Sequence, residues 1–207
     1  MIKLPSFAKT DYDLEEREVL YQGIFTLARY HITHRVFKGG SSQPFTREIL
    51  ERKSAAAVLP YDPLLDRVIL IEQFRAGAIK SNTNPWLLEI VAGVFNHGET
   101  PENIVYREAE EEAGCKLLDL SPICEYFVSP GGSNEYLYLF CGRVDASHAD
   151  GIFGLPEENE DIRAISMSAD DAFSLLQQGK IKTSPAIMAL LWLQLNREKL
   201  KQLWQKK

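Results

Sequence analysis

Residues Gly93 to Cys115 read GVFNHGETPENIVYREAEEEAGC, which sets Gly93, Glu99, Arg107, Glu108, Glu111, Glu112 and Gly114 at fixed spacings around a short acidic segment. At about one occurrence in fifteen per residue type, seven such positions coincide by luck about once in 10⁸ windows. Local chemistry predicts a helix from Pro101 to Ala113. Thr100 suits the N-cap, Pro101 the first turn, where a missing N–H costs nothing, and Gly114 the left-handed position beyond the last turn. At about 100° per residue, Val105, Ala109, Ala113 and the ring of Tyr106 fall on one side. Glu108, Glu111 and Glu112 share another side, with Arg107 at its edge.

Carboxylates three and four residues apart on a helix repel each other, and the macrodipole adds to the cost for Glu111 and Glu112 near the C-terminus. Arg107 alone does not neutralise the cluster. Magnesium does so readily, because it prefers hard oxygen ligands and keeps several waters beside a few carboxylates and substrate phosphates. A solvated acidic face would account for Glu110 to Glu112 taken alone. It leaves the spacing to Gly93, Glu99, Arg107 and Gly114 unexplained.

Gly93, five residues, Glu99, seven residues and then REAEEEAGC resembles the Nudix box at every charged position, with the small residues Ala109 and Cys115 in two aliphatic places. The resemblance implies an α/β fold, specifically a Nudix α/β/α sandwich around a mixed sheet. It also implies two or three bound magnesium ions, with Mn²⁺ as a substitute, and cleavage of a nucleoside diphosphate linked to another moiety. SPGGSNE at Ser129 to Glu135 and GLPEENEDIR at Gly154 to Arg163 narrow the similarity to bacterial ADP-ribose pyrophosphatases. Pro130 lies fifteen positions past Cys115, where that subfamily carries a proline.

By that likeness Glu158 is the catalytic base, with Glu157 the competing candidate, because the sequence does not set the loop conformation. The same likeness assigns metal to Glu108, Glu112, Glu160 and the backbone carbonyl of Ala92, while Glu111 binds a further ion or tunes its neighbours. Arg107 is expected to orient the box carboxylates and Glu99 to tie down the loop. YQGIF at Tyr21 to Phe25 and REILER at Arg47 to Arg52 resemble the subfamily's adenosine-binding strands. Phe25 would then stack on adenine, with Ile24 where the subfamily can place an aromatic. Arg47, Glu48, Arg52 and Arg75 would contact nucleotide or phosphate, and Val94 and Ser129 would line the site. The likeness suggests a homodimer in which Phe25 and Arg47 serve the other subunit's site.

Alternating patterns predict strands at Phe25 to Val36, Phe45 to Glu51, Ala55 to Leu59, Val68 to Gln73, Leu87 to Val91, Tyr126 to Val128 and Tyr136 to Cys141. Residues 1–53 are expected to form a small N-terminal antiparallel β region for dimerisation and adenosine recognition, and residues 54–207 the Nudix domain. Pro185 opens a C-terminal helix capped by Thr183 or Ser184, amphipathic around Leu200, Leu203 and Trp204 and ending on Lys206 and Lys207.

With 207 residues and 45% hydrophobic content, the chain has enough apolar material for a sizeable core. A net charge of -6 argues against nucleic acid as partner, since that affinity rests on phosphate neutralisation by Lys and Arg. The N-terminus lacks the apolar run of a secretory signal, and Ala186 to Leu193 falls short of the ~20 residues that span a bilayer. Three cysteines without paired-ligand spacing, Cys115, Cys124 and Cys141, read as reduced core thiols of a cytoplasmic protein. Alternative substrates are GDP-mannose and other nucleotide sugars. A non-catalytic ADP-ribose sensor would have no need of all four box glutamates and would usually carry an effector domain.

Overall fold

The computed structural model describes residues 7–205. Two compact units are present: residues through Lys53 with Phe127–Glu135, and Ser54–Tyr126 with the residues from Tyr136 onward. In the first, β1 (Tyr12–Gln22), β2 (Thr26–His34) and β3 (Phe45–Glu51) form an antiparallel sheet in that order. The sequence reading missed β1. Its register shifts between Leu14 and Glu16 and again between Val19 and Tyr21. Each shift leaves one residue unpaired and moves the following side chains to the other face, which erases alternation. Phe25 lies before β2 rather than in it, its carbonyl accepting the Gly23 N–H at 3.0 Å. The 127–135 segment clusters with the first unit, where the Leu50 N–H donates to the Gly132 carbonyl at 2.8 Å.

The second unit is built on an eight-stranded sheet comprising β4 (Ala55–Asp62), β5 (Arg67–Phe74), β6 (Trp86–Glu89), β7 (Val91–Val94), β8 (Asp119–Phe127), β9 (Tyr136–Arg143), β10 (Gly151–Phe153) and β11 (Ile162–Ser168). The order is β10-β11-β5-β4-β9-β8, with β6 paired to β5 and β7 to β4. Strand β4 pairs in parallel with β9 and antiparallel with β5 and β7, so the sheet is mixed. Every residue of β4 is buried, as expected for a strand covered on both faces. Helix α1 (Pro101–Ala113) packs Ile104, Val105, Ala109 and Ala113 with Val58, Ile69 and Ile71. On the opposite face, α2 (Ala169–Gln177) and α3 (Ser184–Gln205) pack with Leu59, Leu70 and Leu139. This is the expected α/β/α sandwich.

Several local expectations change in three dimensions. Strand Leu87 to Val91 breaks at Ile90, because β4 and β5 pair only at Tyr61 with Val68 and Asp62 with Arg67. Beyond that turn β6 completes the β5 ladder and β7 completes β4. Tyr106 faces solvent, whereas Ile104 and Glu112 occupy the buried side of α1. Cys115 and Cys141 are buried, but Cys124 is exposed. In α3, Leu200 and Trp204 are buried and Leu203 is exposed. Lys206 and Lys207 lie outside the described residues. Among the described residues no helix is long and apolar enough to cross a membrane.

Candidate active site

The ends of α1 are set as its sequence demands. Thr100 Oγ1 accepts the Asn103 N–H at 3.3 Å, and Gly114 takes φ 58° while donating to the carbonyls of Ala109 and Glu110. Between these ends the carboxylates lie against β7. A Cβ on Gly93 would stand 1.8 Å from Glu108 Oε1, so with the carboxylate in this place glycine lets the strand pass beside it. Glu112, 3% exposed, accepts the Ala92 N–H at 2.9 Å. Burial pushes the Glu112 carboxyl up to about 8; the Ala92 N–H and Arg75 act against this, and the charges of Glu108 and Glu160 add to it. Burial also raises Glu108, opposed by Arg107 and reinforced by Glu111 and Glu160.

Arg107 is the hub of the box. Its guanidinium meets Glu99 at 3.2 Å, Glu108 at 2.8 Å and Glu111 at 2.8 Å. Burial alone would lower its basicity, but these carboxylates outweigh burial and keep it charged. Glu99 Oε2 also accepts the Asn96 N–H at 2.8 Å, so the Asn96 N–H first and Arg107 second hold its carboxyl low. The loop before α1 is thereby tied to the helix.

Glu157 and Glu158 lie exposed in the 3₁₀ turn Pro156–Glu158, followed by Asn159 at φ 56°. Glu160 is half-buried, its Oε2 accepting the Leu155 N–H at 3.2 Å. The structure thus brings Glu108, Glu111, Glu112 and Glu160 into one electrostatic group and leaves Glu157 and Glu158 exposed. Among the described residues no three acidic, His or Cys side chains form a ready-made metal cage. Instead N–H donors hold the carboxylates one by one: Arg107 on Glu108, Ala92 on Glu112 and Leu155 on Glu160. The donor chemistry fits a hard divalent cation, since buried, mutually repelling oxygen ligands lose part of their penalty when one binds.

Glu89 went unnoticed in the sequence, although a lone acid in the apolar run WLLEIV was the available signal. It is buried and accepts from Arg75 Nε at 2.8 Å and Gln73 Nε2 at 3.3 Å. Arg75 and Glu89 line an open cleft of ≈ 530 Å³ with Ser81, Thr83 and Lys182. Val94 is exposed at the end of β7.

In the N-terminal unit the Arg52 guanidinium lies 4.8 Å from the Phe25 ring centroid and pairs with Glu135 at 2.7 Å. Glu135 also escaped the sequence reading. Ile24 is 98% exposed. Arg47 lies over Phe45 and donates to the Thr46 carbonyl, and Glu48 pairs with Arg29 at 3.2 Å, so both are engaged within their own sheet. The Ser129 carbonyl closes a turn, accepting the N–H groups of Gly132 and Ser133.

The NUDIX domain family profile matches residues 51–190. The chain belongs to the Nudix hydrolase family. Among its Nudix relatives, the ADP-ribose pyrophosphatase of Escherichia coli strain K12 is 44% identical over 199 residues, covering 96% of this chain and 95% of that protein. The ADP-ribose pyrophosphatase of Haemophilus influenzae is 43% identical over 209 residues, covering 100% of this chain and 96% of its own length. A GDP-mannose pyrophosphatase of Yersinia pestis is 32% identical over 182 residues, covering 86% and 89% respectively. A crystal structure described as an ADP compounds hydrolase superposes with a TM-score of 0.69 over 97% of this chain and 100% of that one. At 18% identity that likeness speaks for the Nudix fold alone.

Proposed function

We propose that this Nudix hydrolase cleaves the pyrophosphate of ADP-ribose with water, giving AMP and ribose 5-phosphate. The observation that carries the reading is 43–44% identity along nearly the whole chain to ADP-ribose pyrophosphatases, against 32% to a GDP-mannose pyrophosphatase. The buried Glu112 and the half-buried Glu108 beside Gly93 support the chemistry.

Glu108, Glu111, Glu112, Glu160 and the Ala92 carbonyl are the proposed holders of two or three magnesium ions, which manganese can replace. When bound, these cations supply positive charge to the phosphate oxygens as negative charge develops there. Glu158 accepts a proton from the attacking water, with Glu157 the competing base. Arg107 keeps Glu108 and Glu111 oriented. Phe25 stacks on adenine with Ile24 beside it in sequence, Arg47, Glu48, Arg52 and Arg75 contact nucleotide or phosphate, and Val94 and Ser129 line the site. The N-terminal unit is also the proposed dimerisation element of a cytoplasmic homodimer.

Side-by-side turnover of ADP-ribose, GDP-mannose, ADP-glucose and NADH with magnesium tests the reading. ADP-ribose is expected to lead in kcat/KM by at least about tenfold. A lead for GDP-mannose would move the chain to the second reading, and ligand binding without turnover would make it a sensor. Glu158→Gln is expected to lower kcat by about 10²–10⁴ with substrate affinity nearly unchanged. Near-normal turnover would transfer the base role to Glu157.

A further inference from the structure

The loop carrying Glu157, Glu158 and Glu160 is joined to α1 through the end of β10. There the ring of Phe153 fills space left by two glycines. A Cβ on Gly114 would stand 2.2 Å from Phe153 Cε1, and one on Gly151 would stand 2.7 Å from Phe153 Cε2. The next residue, Gly154, takes φ 99°, and its N–H donates to the Glu111 carbonyl at 3.1 Å. A Cβ on Gly154 would lie 2.8 Å from the Glu160 Cβ. Leu155 then closes the loop. Its carbonyl accepts the N–H groups of Glu158 at 2.9 Å and Glu160 at 3.2 Å, and its own N–H binds the Glu160 carboxylate.

These contacts form a continuous chain from the last turn of α1 to the acidic loop. Pairing of Phe153 with Ile162 and of Gly151 with Ala164 holds the ends of the loop to the sheet, while the Gly154 N–H ties its start to the last turn of α1. The Phe153 ring adds a packed contact between that turn and β10, occupying the space a side chain at Gly114 or Gly151 would take. We propose that Phe153 is a positioning residue, whose ring, seated on Gly114 and Gly151, sets the register of the 157–160 loop against the carboxylates of α1. This rests on the hydrolase reading above, in which the loop supplies the base. It also gives Gly114 a second reason to be glycine beyond its positive φ. Gly151 is not among the glycines with positive φ, so a Cβ there perturbs the ring without left-handed strain.

The test combines steady-state kinetics of the full chain on ADP-ribose and magnesium with amide hydrogen exchange at Gly154 and Leu155. Phe153→Ala is expected to lower kcat about 10–100-fold, as a misplacement near 1 Å would, with KM within about threefold. Gly151→Ala is expected to lower kcat about tenfold by displacing the ring, and Gly151→Ala/Phe153→Leu to recover most of that loss. Both single variants should exchange the Gly154 and Leu155 amides at least about tenfold faster. Added to Glu158→Gln or Glu157→Gln, Phe153→Ala should lower kcat no further in whichever background has lost the base.

Unchanged kcat and exchange in Phe153→Ala, or full additivity in both backgrounds, overturns the proposal. Should Phe153→Ala fail to fold, Gly151→Ala and its trimmed double variant decide the matter. If the wild-type chain turns over no ADP-ribose, the hydrolase reading fails by itself. The exchange data then still decide whether Phe153 holds the loop.

Discussion

Strands β1 and β4 lie in one chain and obey opposite rules: nearly every residue of β1 is exposed, and every residue of β4 is buried. The Nudix unit draws its stability from apolar burial on both sides of β4, at roughly 25 cal/mol per Å². Around β1 the visible contacts are the antiparallel ladder and exposed charge pairs such as Arg29 with Glu18 and Glu48, worth about 1 kcal/mol or less each. The contrast teaches where this protein can change. Substitutions on the exposed face of the N-terminal sheet should cost little stability, whereas the core around β4 tolerates little.

The strongest challenge to that contrast is Gly93→Ala. Its Cβ collides with the Glu108 carboxylate, so turnover should fall about 10³-fold and the magnesium titration should weaken. Near-normal kinetics would mean that Glu108 can step aside and that the β7 backbone is not part of the site.

Next in size is a matched pair read by denaturant unfolding. Leu59→Ala in β4 should cost about 3–4 kcal/mol and Leu14→Ala in β1 under about 0.5. A cost above about 2 kcal/mol at Leu14 would show that the outer face of β1 is covered in solution.

A smaller effect is expected at Asp66, which accepts from Tyr61 at 2.7 Å and from Lys201 at 3.0 Å and pairs with Arg197 of α3. Burial pushes its carboxyl up, but Arg197, Tyr61 and Lys201 outweigh burial and hold it well below the usual range. Its folded pKa is therefore depressed. The stability it contributes is fully present above the unfolded value of 3.8 and is lost as pH falls below it. Asp66→Asn, a residue that tolerates the φ of 56° at this position, should cost about 2 kcal/mol at neutral pH. The gap to wild type should close in acid. An equal gap at pH 7 and pH 3 would assign the effect to packing rather than charge.

Arg52→Ala should be the mildest. It loses the Phe25 and Glu135 contacts, raising KM about tenfold while stability changes by under about 1 kcal/mol. A large stability loss there would make the N-terminal unit behave like the core.

Helix α1 is legible in the sequence because Thr100, Pro101 and Gly114 act on neighbours within one turn. Arg107 is expected from the sequence to orient the box carboxylates and Glu99 to tie down the loop; that the two bond directly, Arg107 Nε to Glu99 Oε1 at 3.2 Å, emerges only in the folded chain. Tyr106 and Glu112 were misjudged, since a helical wheel gives angles but not the path of the strand beneath. The Ala92 N–H that draws Glu112 inward is 20 residues away. The 86–94 segment divides because a gap between β4 and β5 has to be filled, and that gap has no local signature.

Sequence by itself determined the box, its helix, its caps and the family, because those depend on residue type at fixed short separations. Tertiary structure decided which carboxylate is buried, that Glu135 grips Arg52, that Glu89 grips Arg75, and that Phe153 meets Gly114 and Gly151. Those pairings depend on which backbone segments lie side by side, and sheet order sets that through hydrogen-bonded contacts between strands distant along the chain.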